Sequence, residues 1–183
     1  MKIRKYRRKE LLGIIPNLKN KTLLDIGASN CYSFNWAYNR LAKNNGKNII
    51  LVDINYGKEI NKYIFSENAI CADAKDLPFK NNNFDIVTSG WLLDYFKGKE
   101  LEKVVNESSR VIKPKGYFIG DVPVHPEKTE EDIILFTRKF QPQIEEYRKL
   151  MQNNNLKILQ DGLGFENYEI VNHLVYYFVA QKA

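Results

Sequence analysis

Thr22-Leu23-Leu24-Asp25-Ile26-Gly27-Ala28-Ser29-Asn30-Cys31 is the stretch on which the fold of this chain turns. A short apolar run reaches an acid, a glycine permits a sharp turn, and a helical pattern follows from about Tyr32 to Asn44. Trp36, Ala37, Arg40 and Leu41 recur there at helical spacing. The same order returns at Ile49-Ile50-Leu51-Val52-Asp53, a second buried strand with a carboxylate at its end. In a parallel sheet, ligands sit outside the carboxyl ends of the strands, so both acids face one crevice. The loop after Gly27 is poor in glycine where such loops are usually rich in it, and that conflict shapes the functional reading.

Outward from this stretch the chain alternates strands and helices. Residues 2–15 suit a helix ended by Pro16-Asn17, with Ile3, Tyr6, Leu11, Ile14 and Ile15 facing inward. Asn44-Asn45-Gly46 closes the helix after the first strand. A short helix over 57–65 precedes a third strand at Ala69-Ile70-Cys71-Ala72, which leads to Asp73. The turn Asn81-Asn82-Asn83 introduces a fourth strand, 84–89. A helix over 99–112 turns Leu101, Val104, Val105, Ser108, Val111 and Ile112 inward, and Lys113-Pro114-Lys115-Gly116 stops it. A fifth strand follows over 117–122. The helix at 131–153 contains Pro142, which predicts a kink or a division. Strands at 156–160 and 173–180 complete the pattern. Alternating strand–helix units followed by two late strands predict an α/β sandwich, a mostly parallel sheet with helices on both faces. The final strand has no crossover helix before it and is therefore antiparallel.

Composition narrows the class. The 183 residues, 44% of them hydrophobic, suffice for one domain with a proper core. No repeat or linker divides the chain, so a single domain over 1–183 is expected. No apolar run approaches the ~20 residues of a membrane span, and the charged N-terminus lacks an apolar signal segment, so a cytoplasmic protein is expected. Cys31 and Cys71 give neither zinc spacing nor a disulfide framework, and no metal site is expected; Cys71 reads as a small buried residue. The net charge of +6 is concentrated: residues 1–22 hold eight basic residues against Glu10 alone, a net +7, which leaves −1 for the rest. Such an arm suits phosphate backbones or anionic surfaces. A solvated amphipathic helix explains it equally.

Asp25, Asp53 and Asp73 stand at the ends of three successive apolar strands. Asp53 follows Gly27 by 26 residues, near the spacing at which a second-strand carboxylate accepts both ribose hydroxyls of a nucleoside cofactor. Acids also cap strand ends beside helix N-termini for electrostatic reasons alone. Three in succession favour the nucleoside pocket.

With Asp73-Ala74-Lys75-Asp76-Leu77-Pro78-Phe79, Phe84-Asp85-Ile86-Val87 and the Glu107–Gly116 segment following Asp25 and Asp53 in order, the chain from Leu23 to about Val122 resembles a class I S-adenosylmethionine-dependent methyltransferase of the small, single-domain, type-11-like group. Asp73-Ala74-Lys75-Asp76-Leu77-Pro78-Phe79 and the following Phe84-Asp85-Ile86-Val87 match its D-A-x-x-L-P-F…F-D-x-V pattern. The segment from Glu107 to Gly116 matches E-x-x-R-V-L-K-P-G-G, with Lys115 at the first of the two glycines. The resemblance implies a Rossmann-like three-layer sandwich with a seven-stranded sheet of order 3-2-1-4-5-7-6, the last strand antiparallel. It implies S-adenosylmethionine as cofactor. Asp25 and the Gly27 loop, with Ser29, would hold the methionine portion, Asp53 the ribose, and Asp73 with the Ala74 backbone the adenine. Ser89, Gly90 and Trp91 would border the transferable methyl group. The family loop is D-x-G-x-G-x-G, and here Ser29 and Cys31 replace its second and third glycines. A nicotinamide-binding domain fits worse, because G-x-G-x-x-G is missing and Leu77-Pro78-Phe79 has no role there.

Methyl transfer is a direct displacement that mainly needs alignment, with a general base only for a protonated acceptor. Asp94, Tyr95 and His125 are the acceptor-side candidates, and 121–153 is the segment expected to border the acceptor; His173 reads as structural. Neither an N-P-P-Y-type segment nor a Pro-Cys nucleophile is present. A small-molecule acceptor is the first reading. The alternatives are RNA or protein methylation anchored by the basic N-terminus, and a binding module that has lost turnover.

Overall fold

The apolar runs through Asp25 and Asp53 form neighbouring parallel strands, as continuous apolar sequence predicts for a sheet covered on both faces. The computed structural model describes residues 4–5, 11–28, 49–54, 68–124, 130–168 and 171–183. Their strands are β1 (Arg4–Lys5), β2 (Leu23–Ile26), β3 (Ile49–Asp53), β4 (Ala69–Cys71), β5 (Phe84–Gly90), β6 (Ile112–Val124), β7 (Leu156–Tyr168) and β8 (Val171–Lys182). The helices are α1 (Lys99–Val111) and α2 (Glu130–Asn153). The helices expected over 32–44 and 57–65 lie outside the described residues.

The sheet runs β1-β7-β8-β6-β5-β2-β3-β4. Without the two-residue β1, and counting the other seven in chain order, this is the expected 3-2-1-4-5-7-6. β8 is antiparallel to β6 and β7, and the remaining pairings are parallel. One face packs Leu24, Ile26, Val52, Val87, Phe118, Tyr176 and Phe178 against Leu101, Val104 and Val105 of α1 and Ile144, Tyr147 and Met151 of α2. The other packs Leu23, Ile49, Leu51, Ile86, Ile119 and Val179 against Leu11, Ile15 and Leu18.

Four expectations change. Arg4–Lys5 is a strand, not the start of a helix, and pairs with Gly164 and Phe165 of β7. An open sheet edge exposes backbone donors and acceptors, and pairing them outweighs local helix preference. Leu12–Ile14 makes only a single 3-10 turn. Cys71 is exposed, because β4 is the outermost strand; its thiol donates to the Ile54 carbonyl at 3.4 Å. Pro142 lies inside one continuous α2 rather than dividing it.

The fourth change is at Lys113-Pro114-Lys115-Gly116. α1 ends before it, at Val111, and Lys182 caps the helix end by donating to the Ser109 and Ile112 carbonyls, both at 2.8 Å. β6 then starts at Ile112, opposite Phe84, and its next partner pair is Ile86 with Tyr117. Residues 113–116 therefore bulge from the ladder. Lys115 carries φ +63°, and a Cβ on Gly116 would meet the Asp85 carbonyl at 2.8 Å.

Asp85 ties this bulge to the entry of β2. Lys21 donates to it at 3.0 Å, Lys113 at 2.9 Å, the Thr22 amide at 3.0 Å and the Thr22 hydroxyl at 2.8 Å. Burial alone would push this carboxyl up, but the Thr22 amide, the two ammonium groups and the Thr22 hydroxyl hold it well below the usual carboxylate range.

Two outcomes follow for stability. Lys115→Gly should stabilise the fold by about 1 kcal/mol in urea denaturation, because a side chain at positive φ costs ~1–2 kcal/mol and glycine returns part of that as chain entropy. Asp85→Asn should destabilise by about 2 kcal/mol at pH 7. A carboxyl with a lowered folded-state pKa stabilises above the unfolded value, about 4, and loses that contribution as pH falls toward the folded value. The gap between wild type and Asp85→Asn should therefore close below about pH 4.

Candidate functional site

Side chains alternate across a strand, so residues paired across neighbouring strands share a face. Asp25 pairs with Thr88, and Thr88 with Ile119. Asp25 is the third of four residues in β2, is buried, and accepts a 2.7 Å hydrogen bond from the Thr88 hydroxyl. One step higher on the same face, Gly90 pairs with Asp121, Asp121 with Tyr177, and Tyr177 with Gly162. Ile26 pairs with Val52 and Ser89, which places Gly27 level with Asp53 and Gly90. The carboxyl edge thus carries one row: Asp53, Gly27, Gly90, Asp121, Tyr177, Gly162.

Two of the three glycines of this row, Gly27 and Gly90, lie side by side between the carboxylates of Asp53 and Asp121. The Gly27 and Ala28 amides both donate to the Val52 carbonyl, at 2.8 and 3.0 Å, which ties the loop to β3. Gly27 has φ +69°, and a Cβ there would stand 2.7 Å from Leu92. Backbone conformation and the turn after β5 therefore both demand glycine at 27. Ser29 and Cys31, the two departures from the family loop, lie outside the described residues.

After β5 the chain turns sharply. Trp91 has φ +53°, and its amide donates to the Asp121 carbonyl at 3.0 Å. A large side chain in this region is held by its surroundings, a condition common at binding sites. The Ser89 hydroxyl is fully buried and has no hydrogen-bond partner among the described residues. A buried hydroxyl left in this condition at the carboxyl end of a strand suits a polar ligand.

Asp94 and Tyr95 lie in the 3-10 turn Leu93–Tyr95. Asp94 is half-buried and within electrostatic reach of Tyr147 on α2; burial, with the Asp94 and Glu146 charges, pushes that phenol up despite a hydrogen bond from Gln143. Tyr95 is 78% exposed. His125 lies outside the described residues, and His173 is in β8.

On the far side, Asp73 stands two residues past β4 and accepts from the Lys75 amide at 2.9 Å, an Asx-type turn. Ala74 and Leu77 are buried behind it. This loop is gripped from α1. Glu107 accepts from the Leu77 amide at 2.8 Å. Arg110 donates to the Leu77 carbonyl at 2.9 Å, the Phe79 carbonyl at 2.7 Å and Asn81 at 2.9 Å, and pairs with both oxygens of Glu107 at 2.6 and 2.7 Å. All five guanidinium N–H donors are engaged. The Arg110 hydrogen bonds hold the Glu107 carboxyl below its usual range.

Three of these positions escaped the sequence reading in role. Thr88 reads there as strand filler, and Glu107 and Arg110 as a pattern without a partner. Asp121 is fully buried. It repeats the signal of Asp25 and Asp53, an apolar run ending in an acid, in Tyr117-Phe118-Ile119-Gly120-Asp121.

The family model described as "Methyltransferase domain" matches residues 24–120. Phosphoethanolamine N-methyltransferase 1 of Triticum aestivum is 30% identical over 97% of this chain and 36% of its own length. A ubiquinone/menaquinone biosynthesis C-methyltransferase of Rickettsia typhi is 33% identical over 60% of this chain and 47% of its own. The chain thus spans between a third and a half of these relatives' lengths. The structure of Burkholderia thailandensis 1,6-didemethyltoxoflavin-N1-methyltransferase, with bound 1,6-didemethyltoxoflavin and S-adenosylhomocysteine, superposes with TM-score 0.67 at 14% identity, covering 96% of this chain and 76% of that one.

The grip on the 73–81 loop is testable by itself. Arg110→Lys replaces a planar five-donor fork with a point charge, and should cost about 2–3 kcal/mol in urea denaturation. Amide exchange at Leu77 should accelerate more than exchange in β5.

Proposed function

This chain belongs to the methyltransferase-domain family, and on that premise we propose that it transfers the methyl group of S-adenosylmethionine to a small acceptor. The observation that carries the reading is the carboxyl-edge row, where Asp53 ends β3 beside the bare backbone of Gly27 and Gly90. When bound, S-adenosylmethionine supplies a methyl group activated by a sulfonium. The residues present fit it. The Asp53 carboxylate offers two acceptor oxygens to a vicinal diol. Asp73 and the Ala74 backbone would read the adenine edge, from a loop fixed from α1. Asp25 and the Gly27 backbone would meet the amino-acid end, with Ser29 a further candidate from sequence alone. Ser89, Gly90 and Trp91 would border the reacting carbon, and the buried Ser89 hydroxyl is a polar group that a ligand would satisfy.

The protein's part in such a displacement is alignment and exclusion of water. Trp91, held at positive φ by the Asp121 carbonyl, sets one wall. Asp94 is the candidate to take a proton from an acceptor that must lose one, and His125 remains a candidate from sequence. The relatives' named reactions, on phosphoethanolamine and in ubiquinone or menaquinone biosynthesis, concern small molecules, which supports a small acceptor here. Among the described residues, no helix is long and apolar enough to cross a membrane.

Calorimetry with S-adenosylhomocysteine tests the reading. Wild type should bind, and Asp53→Ala should weaken binding roughly 10- to 100-fold, the loss of charge-assisted hydrogen bonds, with an unchanged melting temperature. If wild type binds neither S-adenosylmethionine nor its homocysteine product, the reading fails.

A further inference from the structure

The edge of the sheet opposite the site is built from loops that lie far apart in sequence. Residues 16–22 lead into β2, 80–83 into β5 and 154–155 into β7; residues 113–116 bulge from β6, and β8 ends at Lys182. In the sheet these strands are neighbours, in the order β7-β8-β6-β5-β2. Hydrogen bonds knit the loops together. Lys182 donates to the Asn82 side chain at 3.0 Å, the Ala183 amide to the Asn155 carbonyl at 3.0 Å, and Gln181 to the Lys115 carbonyl at 3.2 Å.

The charge on this edge is one-sided. Residues 16–22, 80–85, 113–116, 152–157 and 181–183 hold seven lysines and one acid, Asp85. Asp85 is only 16% exposed and already holds Lys21 and Lys113, while Lys182 is engaged by carbonyls. Lys19, Lys80, Lys115 and Lys157 remain, one on each of four segments, all exposed. The ion pairs among the described residues use other lysines. Lys115 stands at φ +63°, where backbone strain favours glycine, so local stability does not account for a cation there. Like charges gathered on one edge repel each other and raise the potential that a polyanion meets.

The rest of the surface narrows the partner. Exposed Asn20, Asn83, Asn153 and Asn155 set amides beside the lysines, a mixture suited to phosphate and sugar oxygens. The exposed large apolar side chains are Ile54, Tyr95 and Leu159, none of them on these segments. The edge therefore offers no stacking platform for unpaired bases and no apolar anchor for a bilayer. Five neighbouring strands span about 20 Å, over which one strand of a duplex presents about six phosphates.

We propose that this edge docks the phosphate backbone of a double-helical nucleic acid. The contact is independent of base sequence and lies about 20 Å from the site, at the other end of β5. It leaves the carboxyl edge open and does not depend on the methyl-transfer reading.

The test is fluorescence anisotropy of the full chain with labelled RNA and DNA duplexes of one sequence, about 16 base pairs long. Wild type should bind with a micromolar Kd at about 50 mM salt, and log Kd should rise by about 3–4 per decade of salt, as four phosphate contacts require. Lys80→Gln, Lys115→Gln and Lys157→Gln together should weaken binding roughly tenfold or more and lower that slope by about 2, with an unchanged melting temperature. Lys80→Arg, Lys115→Arg and Lys157→Arg should keep the binding. Lys97→Gln, Lys99→Gln and Lys103→Gln remove the same charge from exposed positions at the start of α1 and should leave Kd within about threefold. Should the first glutamine variant not fold, Lys80→Gln with Lys157→Gln takes its place. The tighter of the two duplexes names the partner. Failure of wild type to bind either duplex, an equal loss in the α1 variant, or tighter binding to phosphatidylserine vesicles would overturn the proposal.

Discussion

The guanidinium of Arg110 is the point through which the site and the core are joined. The loop from β4 to β5 has little regular structure, and its Leu77 and Phe79 carbonyls need partners that no strand provides. Arg110 supplies them, and Glu107 supplies an acceptor for the Leu77 amide. Both reach the loop from α1, whose Leu101, Val104 and Val105 are packed against the sheet. Lys182, from the end of β8, holds the carboxyl end of the same helix. Loop, helix and final strand are therefore one mechanical unit. Two motifs separated by some thirty residues, L-P-F and E-x-x-R, are two sides of one set of hydrogen bonds.

Polar groups are divided between the ends of the sheet. At the amino end, Asp85 collects Lys21, Thr22 and Lys113 and is satisfied internally. At the carboxyl end, Asp53, Ser89 and Asp121 accompany two glycines and a tryptophan held at positive φ. The first arrangement stabilises the entry of the strands. The second gathers acids, a buried hydroxyl and glycine backbone at the carboxyl ends of the strands, where ligands sit in a parallel sheet.

The strand cores were legible because buried parallel strands read as unbroken apolar runs. Leu23–Ile26, Ile49–Asp53 and Phe84–Gly90 fall within a residue or two of the reading. The inner face of α1 was legible for the same reason, from its helical period. The start of β6 was not. Lys113-Pro114-Lys115-Gly116 has the composition of a stop, and only pairing with β5 keeps Ile112 in the ladder while the four residues bulge. β1 was not legible either, since Arg4–Lys5 is extended only because the edge of β7 is there to pair with it. Of the candidate site, Asp25, Gly27, Asp53 and Asp73 stood out as strand-end residues, and Ser89–Trp91 followed from the family resemblance. Asp121 carried the same signal but was absorbed into the strand that bears it.

By itself the sequence determined the alternation of strands and helices, the side of the sheet on which chemistry sits, and the glycine after Asp25, because these depend on local period and backbone freedom. The tertiary structure alone decided what lies beside what. That Gly90 faces Asp121, that Thr88 holds Asp25, and that Arg110 gives three of its five donors to a loop thirty residues away are matters of register and strand order. Register is set by pairing across the whole sheet, and no window of sequence contains it.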